Sequence, residues 1–415
     1  MTRSTHNDPS LAQQDHPFYE GVDELLVTDG LQIVDRISCE RILLPRDERW
    51  PSHHVQGHIG QQRDGSLHAV VSGGNACMYW QSHDSGITWE GAQIDTPGAG
   101  GFTVLDDDGF LLACGGGDGP IRILHSHDGV GWSNRGQIRS GLFDAHHIDS
   151  NLLQLRDGTV LLAVNLRLNP PQGAPLLAGQ YPQYLLRSMD RGVTWSSYGA
   201  ANFWAAVKSG EQSVQDDGPD YVWPGSGGTF PGVYETGFIE RGDGQMMGAF
   251  RFSGPPRSWH QDRVASWGEP PHPEPDSHGR LFRHVVLGES DDGGRHWRNL
   301  RPILAADGTP LMAHGESNGE LVELSDGRLV LIHQTRYAES FDAAKGYFRG
   351  RSTLSARVSD DAGLTWRRQR YRLMFGFGYS GTLVLTDDTL VTVTGCCLGD
   401  NGDVRRAAII RWRID

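Results

Sequence analysis

The chain has 415 residues, with 51 Asp and Glu against 37 Lys and Arg, for a formal net charge of −14. That balance argues against nucleic acid as a partner and offers no attraction to an anionic membrane surface. Five cysteines (Cys39, Cys77, Cys114, Cys396 and Cys397) form an odd set with one adjacent pair, a poor disulfide framework that suits reduced thiols in a cytoplasmic protein.

In chain order, residues 1–20 are polar and lack the apolar run of a secretory signal or spanning helix, so they read as a flexible lead-in. Residues 21–415 read as one domain. Strand-like sequence at 25–44 is followed by a series of hairpins, each an inner strand, a turn and a second apolar strand. The turns are Asp64-Gly65, Asp108-Gly109, Asp157-Gly158, Asp243-Gly244 and Asp326-Gly327. Asp-Gly between apolar runs is a strong hairpin signal. A sixth unit, from Tyr379 to Asp388, has the same shape with Asp-Asp at its turn.

A second repeat follows five of these hairpins. Ser82 to Trp89 reads SHDSGITW, Ser188 to Trp195 reads SMDRGVTW, and Ser359 to Trp366 reads SDDAGLTW. Ser290 to Trp297 (SDDGGRHW) keeps the Ser, Asp, Gly and Trp, and Ser126 to Trp132 (SHDGVGW) is one residue shorter. Each reads as a structural turn in which Asp accepts backbone N–H bonds, Gly takes a left-handed conformation and Trp packs beneath. Six hairpins predict an all-β, six-bladed propeller with four antiparallel strands per blade. The last blade would take a third strand from about 405–412 and its fourth from the N-terminal 25–44 segment, hiding the final edge.

Stepping back eight positions from the turn Asp reaches the mouth of each inner strand: Gln56, Gly100, Asp149, Glu235, Asn318 and Tyr379. Alternation along a strand adds His54, His147 and Glu316 two positions earlier, and His314 beyond. Titratable groups at positions that would otherwise line a packed hub mark a candidate active site. Eight positions beyond the Asp243 turn lies Arg251, bracketing one hairpin with Glu235. Long insertions at about 168–183, 196–229, 252–280 and 337–350 fall at the same end, where loops build binding sites.

The repeated S-x-D-x-G-x-T-W string is the Asp-box, and the chain resembles the sialidase superfamily of β-propellers. The resemblance implies a catalytic Glu and an Arg on one strand pair, matched by Glu235 and Arg251, and a nucleophilic Tyr followed by Ser, matched by Tyr379-Ser380. It implies a third carboxylate-binding arginine at Arg351; Arg336 and Arg167, each two positions past the end of a second strand, are further candidates by position. Two family features have no match. The first-blade Arg-Ile-Pro is replaced by His53-His54-Val55-Gln56-Gly57-His58, and Ser72 to Cys77 holds no general-acid Asp. Asp149 or Glu316 would take that proton-donating role.

This reading predicts a sialidase-like glycoside hydrolase that releases a terminal, acidic sugar. Tyr379, Glu235, Asp149 and Glu316 would be catalytic, while Arg251, Arg351, Arg336, His54, His147, Gln56, Asn318 and His314 would bind substrate. The alternatives are a lyase or other glycosidase acting on a uronate-containing glycan, and a carbohydrate-binding propeller without turnover. No phosphate loop, dinucleotide fingerprint or zinc spacing is present, so no cofactor is expected. No metal is expected either, because His54 and His58 lie four apart in strand-like sequence and His146, His147 and His314 come from other blades.

Overall fold

The computed structural model describes residues 33–36, 39–44, 55–73, 76–96, 98–115, 119–138, 145–148, 152–167, 183–195, 233–254, 282–295, 297–309, 311–312, 317–342, 347–375, 379–398 and 404–414. Two strands, β1 (Ile33–Arg36) and β2 (Cys39–Leu44), precede a ring of six blades. Blade I comprises β3 (Gln56–Gln61), β4 (Leu67–Gly73), β5 (Ala76–Ser82) and β6 (Glu90–Ile94). Blade II comprises β7 (Ala99–Val104), β8 (Phe110–Cys114), β9 (Ile121–Ser126) and β10 (Ser133–Ile138). Blade III comprises β11 (Ala145–His147), β12 (Leu152–Gln154), β13 (Val160–Arg167) and β14 (Gln183–Ser188). Blade IV comprises β15 (Val233–Glu240), β16 (Met246–Gly254), β17 (Phe282–Ser290) and β18 (Arg298–Pro302). Blade V comprises β19 (Ser317–Glu323), β20 (Leu329–Asp342), β21 (Tyr347–Ser359) and β22 (Gln369–Phe375). Blade VI comprises β23 (Ser380–Val384), β24 (Leu390–Leu398) and β25 (Val404–Trp412).

The ring closes as the sequence predicts. β2 pairs antiparallel with β25, Cys39 opposite Trp412 and Leu44 opposite Ala407, and so becomes the outer strand of blade VI. Three details differ from the regular plan. β1 adds in parallel to β22, giving blade V a fifth strand. The inner edge of blade III is split into β11 and β12, which both pair with β13, and residues 196–232, where its outer strand is expected, lie outside the described residues. Residues 337–342 and 347–350, read as parts of a loop insertion, are instead the extended end of the β20–β21 ladder, with Phe341 opposite Phe348. Its register continues past Gln334, the last residue that β19 covers.

Each pair of neighbouring blades encloses its own apolar cluster, so the middle strands are covered on both faces. That is why β4 and β8 are buried at every position and read as apolar runs. Leu67, Ala69 and Val71 of β4 face blade VI, while Val70 faces Phe102, Phe110 and Leu112 of blade II. Cys77 and Cys114 lie in the core between blades I and II. Trp297 is fully buried between blades III and IV, edge-on to Phe250 with ring centroids 5.0 Å apart.

The hairpin turns share one geometry. Gly65 N–H donates to the carbonyl of Gln62 with φ +90°, and Gly158, Gly244 and Gly327 repeat this at Leu155, Arg241 and Leu324. In blade II the equivalent residue is Asp108, whose N–H donates to Leu105 with φ +64°. The turn Asp of that blade is therefore Asp107, and Ala99 rather than Gly100 is equivalent to Glu235. The run Asp106-Asp107-Asp108-Gly109 allows two alignments, and the left-handed residue decides between them.

The second repeat turns at the same end of the blades. In the first copy Asp84 Oδ1 accepts from Ser82 Oγ and Thr88 N at 2.8 Å each, and Oδ2 accepts from Thr88 Oγ1 at 2.6 Å. Trp89 Nε1 donates to the Gly86 carbonyl at 2.9 Å. The last copy keeps the Asp361 bonds but leaves Trp366 Nε1 buried without an acceptor. Burial works against ionisation of Asp84, Asp190 and Asp361, but bonds from Thr88, Thr194 and Thr365 and the repeat serines outweigh it and hold the carboxyls below their ordinary value. At Asp128, backbone bonds from Gly131 and Val130 lead in the same direction.

A depressed folded-state pKa contributes stability above the unfolded value of about 3.8 and loses it as pH falls through the folded one. The contribution of these carboxylates to the urea midpoint is thus expected to stay level from neutral pH to about 5 and to fall steeply below about 4. Asp361→Asn should flatten part of that fall. A midpoint unchanged down to acid pH would remove these carboxylates from the stability account.

Candidate functional site at the hub mouth

Inner strands of adjacent blades meet closely at the hub because glycines stand at the contacts. A Cβ on Gly237 would lie 2.6 Å from the Gly319 carbonyl oxygen, and one on Gly381 would lie 2.8 Å from His58 Cα. Each of these glycines follows a mouth residue within two positions, so the close approach draws mouth residues of neighbouring blades together.

Blades IV and V supply the best-defined group. The β15–β16 register shifts between Tyr234 and Gly237, and the β19–β20 register shifts between Ser317 and Glu320. Glu235 and Asn318 sit in these bulges with φ +51° and +57°. Asn tolerates the left-handed region, but Glu adopts it at a cost of about 1–3 kcal/mol, and such outliers cluster at functional sites. The bulges re-aim both side chains toward Arg251. Arg251, 5% exposed, forms an ion pair from Nη1 to Glu235 Oε2, and the same Nη1 donates to Asn318 Oδ1 at 3.2 Å. Asn318 Nδ2 is buried without an acceptor, leaving one donor open beside the pair.

Blades VI and I supply a second group. Tyr379 bridges in parallel to Gln56, and its carbonyl accepts from Gly57 N at 3.0 Å. Tyr379, Ser380 and Gln56 are each part-buried, and His58, two residues further in on β3, is buried.

Glu320 joins the two groups. One oxygen accepts from the Thr382 N–H, and the other accepts from Ser380 Oγ and Thr382 Oγ1 at 3.0 Å each. Burial pushes this carboxyl up to about 7, against the hydrogen bonds from Thr382 and Ser380, which favour the ionised form. Sequence reading missed Glu320 because alternation was followed outward from Asn318, to Glu316 and His314, and not inward. One step inward gives His58, Gly101, Gly237, Glu320 and Gly381 in the described blades, where an acid between two glycines stands out.

The remaining candidates are placed only in part. Arg351 lies opposite Tyr337 and Arg336 opposite Ser352, on adjacent rungs of the extended β20–β21 ladder. His146 and His147 lie in β11, opposite Leu166 and Asn165, and Arg167 pairs with Ala145. His54, Asp149, His314 and Glu316 lie outside the described residues, as do the predicted insertion at 196–229 and most of those at 168–183 and 252–280. Among the described residues, no three His, Cys, Asp or Glu side chains gather as metal ligands would.

The ring and its polar mouth define a six-bladed β-propeller. No protein-family model matches the chain, and no curated protein matches it. Among solved structures, it is similar to the GH93 α-L-arabinofuranosidase of Fusarium graminearum in complex with arabinobiose. That match has a TM-score of 0.56 at 12% identity and covers 92% of this chain and 97% of the other. A Hadza microbial sialidase gives a TM-score of 0.47 at 16% identity, over 87% of this chain and 66% of its own. Trypanosoma rangeli sialidase in complex with 2,3-difluorosialic acid gives 0.48 at 12%, over 91% and 59%. The chain thus matches nearly the whole arabinofuranosidase but under two thirds of the sialidases' length. At these identities the likeness is one of fold.

Proposed function

We propose that the protein is a glycoside hydrolase that releases a terminal sugar at the hub mouth, with Tyr379 and Glu235 as its reacting pair. The observation that carries this reading is the Glu235–Arg251–Asn318 group, built across two blades by strained backbone and left with an open buried donor. A free phenol, with a pKa of about 10, is almost wholly protonated at neutral pH, so a nucleophilic tyrosine needs a base. The ion pair presents Glu235 as a carboxylate, the form that accepts a phenolic proton. Asp149 or Glu316 would protonate the leaving oxygen. The open Asn318 Nδ2 suits a sugar hydroxyl or carboxylate oxygen.

One observation favours a neutral sugar over an acidic one. Arg251 already has Glu235 as counter-ion, so it does not bring a full positive charge to a substrate carboxylate. An acidic sugar would depend on Arg351 and Arg336. The arabinofuranosidase neighbour is in complex with arabinobiose, a neutral sugar. A panel of chromogenic neuraminide, uronide and arabinofuranoside substrates decides between the two. Release from the arabinofuranoside alone supports the neutral reading, and release from the neuraminide or uronide supports the arginine clamp. A product that absorbs in the ultraviolet, from a uronate polysaccharide, would replace hydrolysis by elimination. Binding of glycans without any turnover would reduce the protein to a carbohydrate-binding propeller.

A further inference from the structure

We propose that Glu320 is a positioning residue for this site, holding the strand that carries Tyr379 by bonding from blade V to Ser380 and Thr382 of blade VI. Its catalytic meaning rests on the Tyr379 reading above; its structural content does not. Glu320 is 8% exposed and lies one step inward from the mouth, so it acts through the strand and not on substrate. The flanking strands carry Gly237 and Gly381 at the same level, and a Cβ on Gly237 would stand 2.9 Å from Glu320 Cα. The space a carboxyl needs has thus been left by its neighbours.

The bonds are directional. Three donors from two residues converge on two oxygens, and Ser380 immediately follows Tyr379. Thr382 Oγ1 is further tied to Thr392 Oγ1 on β24 at 2.9 Å, which fixes its rotamer. The titratable and charged groups on the strands packed around Glu320 include Glu235 on β15, Arg251 on β16, Glu289 on β17, His333 on β20 and, beyond Gly381, His58 on β3, with Tyr379 immediately before β23. Its raised pKa has burial as its leading cause, with no charged neighbour contributing. Ionisation strengthens all three bonds, because charge-assisted hydrogen bonds are the stronger kind. Burial nonetheless outweighs those bonds, so separation of the strands, which hydrates the carboxylate, becomes easier as pH rises through about 7.

The test compares wild type with Glu320→Gln and Glu320→Leu. Glutamine keeps the shape: its oxygen can accept from Thr382 N while its amide donates to the two hydroxyls. It removes the titration. Hydrogen exchange of the peptide spanning 379–384, corrected for intrinsic pH dependence, should show protection falling between pH 6 and 8 in wild type. Protection should stay level in Glu320→Gln and be low at every pH in Glu320→Leu. In the turnover assay, Glu320→Gln should lose the wild-type inflection near pH 7, and Glu320→Leu should fall about tenfold in kcat at every pH, with KM unchanged. Identical corrected exchange in wild type and Glu320→Gln would overturn the proposal, as would superimposable pH–rate profiles. The exchange arm needs no substrate, so absence of turnover in wild type counts against the glycosidase reading alone.

Discussion

Arg251→Ala is expected to lower the free energy of unfolding by about 3–5 kcal/mol, the cost of breaking a buried ion pair from one side. Glu235 would be left 10% exposed with its counter-ion gone, and Asn318 Oδ1 would lose its donor as well. The penalty is that of an uncompensated buried carboxylate, so it should shrink when that charge is removed too. Glu235→Gln combined with Arg251→Ala is expected to be less destabilised than the sum of the single changes. Urea denaturation of the four species gives the coupling directly. A loss below about 1 kcal/mol in Arg251→Ala would show the pair to be hydrated and weak. The sequence alone assigned this arginine to substrate, with weakened binding as the consequence of its loss. The ion pair makes stability the first casualty, and any effect on binding must be measured below the melting range of the variant.

Tyr379→Phe is expected to reduce kcat by about 10²–10⁴ or more while changing KM little, because only the reacting hydroxyl is removed. The fold should survive. The described ties between Tyr379 and blade I are main-chain ones, the bridge to Gln56 and the Gly57 N–H to its carbonyl, and phenylalanine keeps both. Glu235→Gln should produce a loss of similar size if it serves as the base for this phenol. Wild-type turnover in Tyr379→Phe would transfer the chemistry to a two-carboxylate mechanism through Asp149 and Glu316. Asp149→Asn and Glu316→Gln would then be the variants that fall silent.

The blade count, the turn chemistry and the closing strand were legible in the sequence because each depends on a local pattern. Six hairpin turns place a left-handed residue after an Asp, five repeats tie Asp to nearby N–H groups, and the apolar run at 404–412 needs a partner that 39–44 supplies. The same offset rule placed Glu235 and Asn318 at equivalent points of their strands, since distance from a turn along a strand is also local. It failed in blade II, where Asp107-Asp108-Gly109 accommodates the turn in two ways and the backbone chose the less obvious one. What one blade does to the next was not legible. The counter-ion of Arg251, the bulges that turn Glu235 and Asn318 toward it, the parallel addition of β1 to blade V and the span of Glu320 to Ser380 all arise where separate repeats touch. Those contacts depend on how closely glycines let neighbouring strands approach, and no spacing within a single repeat encodes that distance.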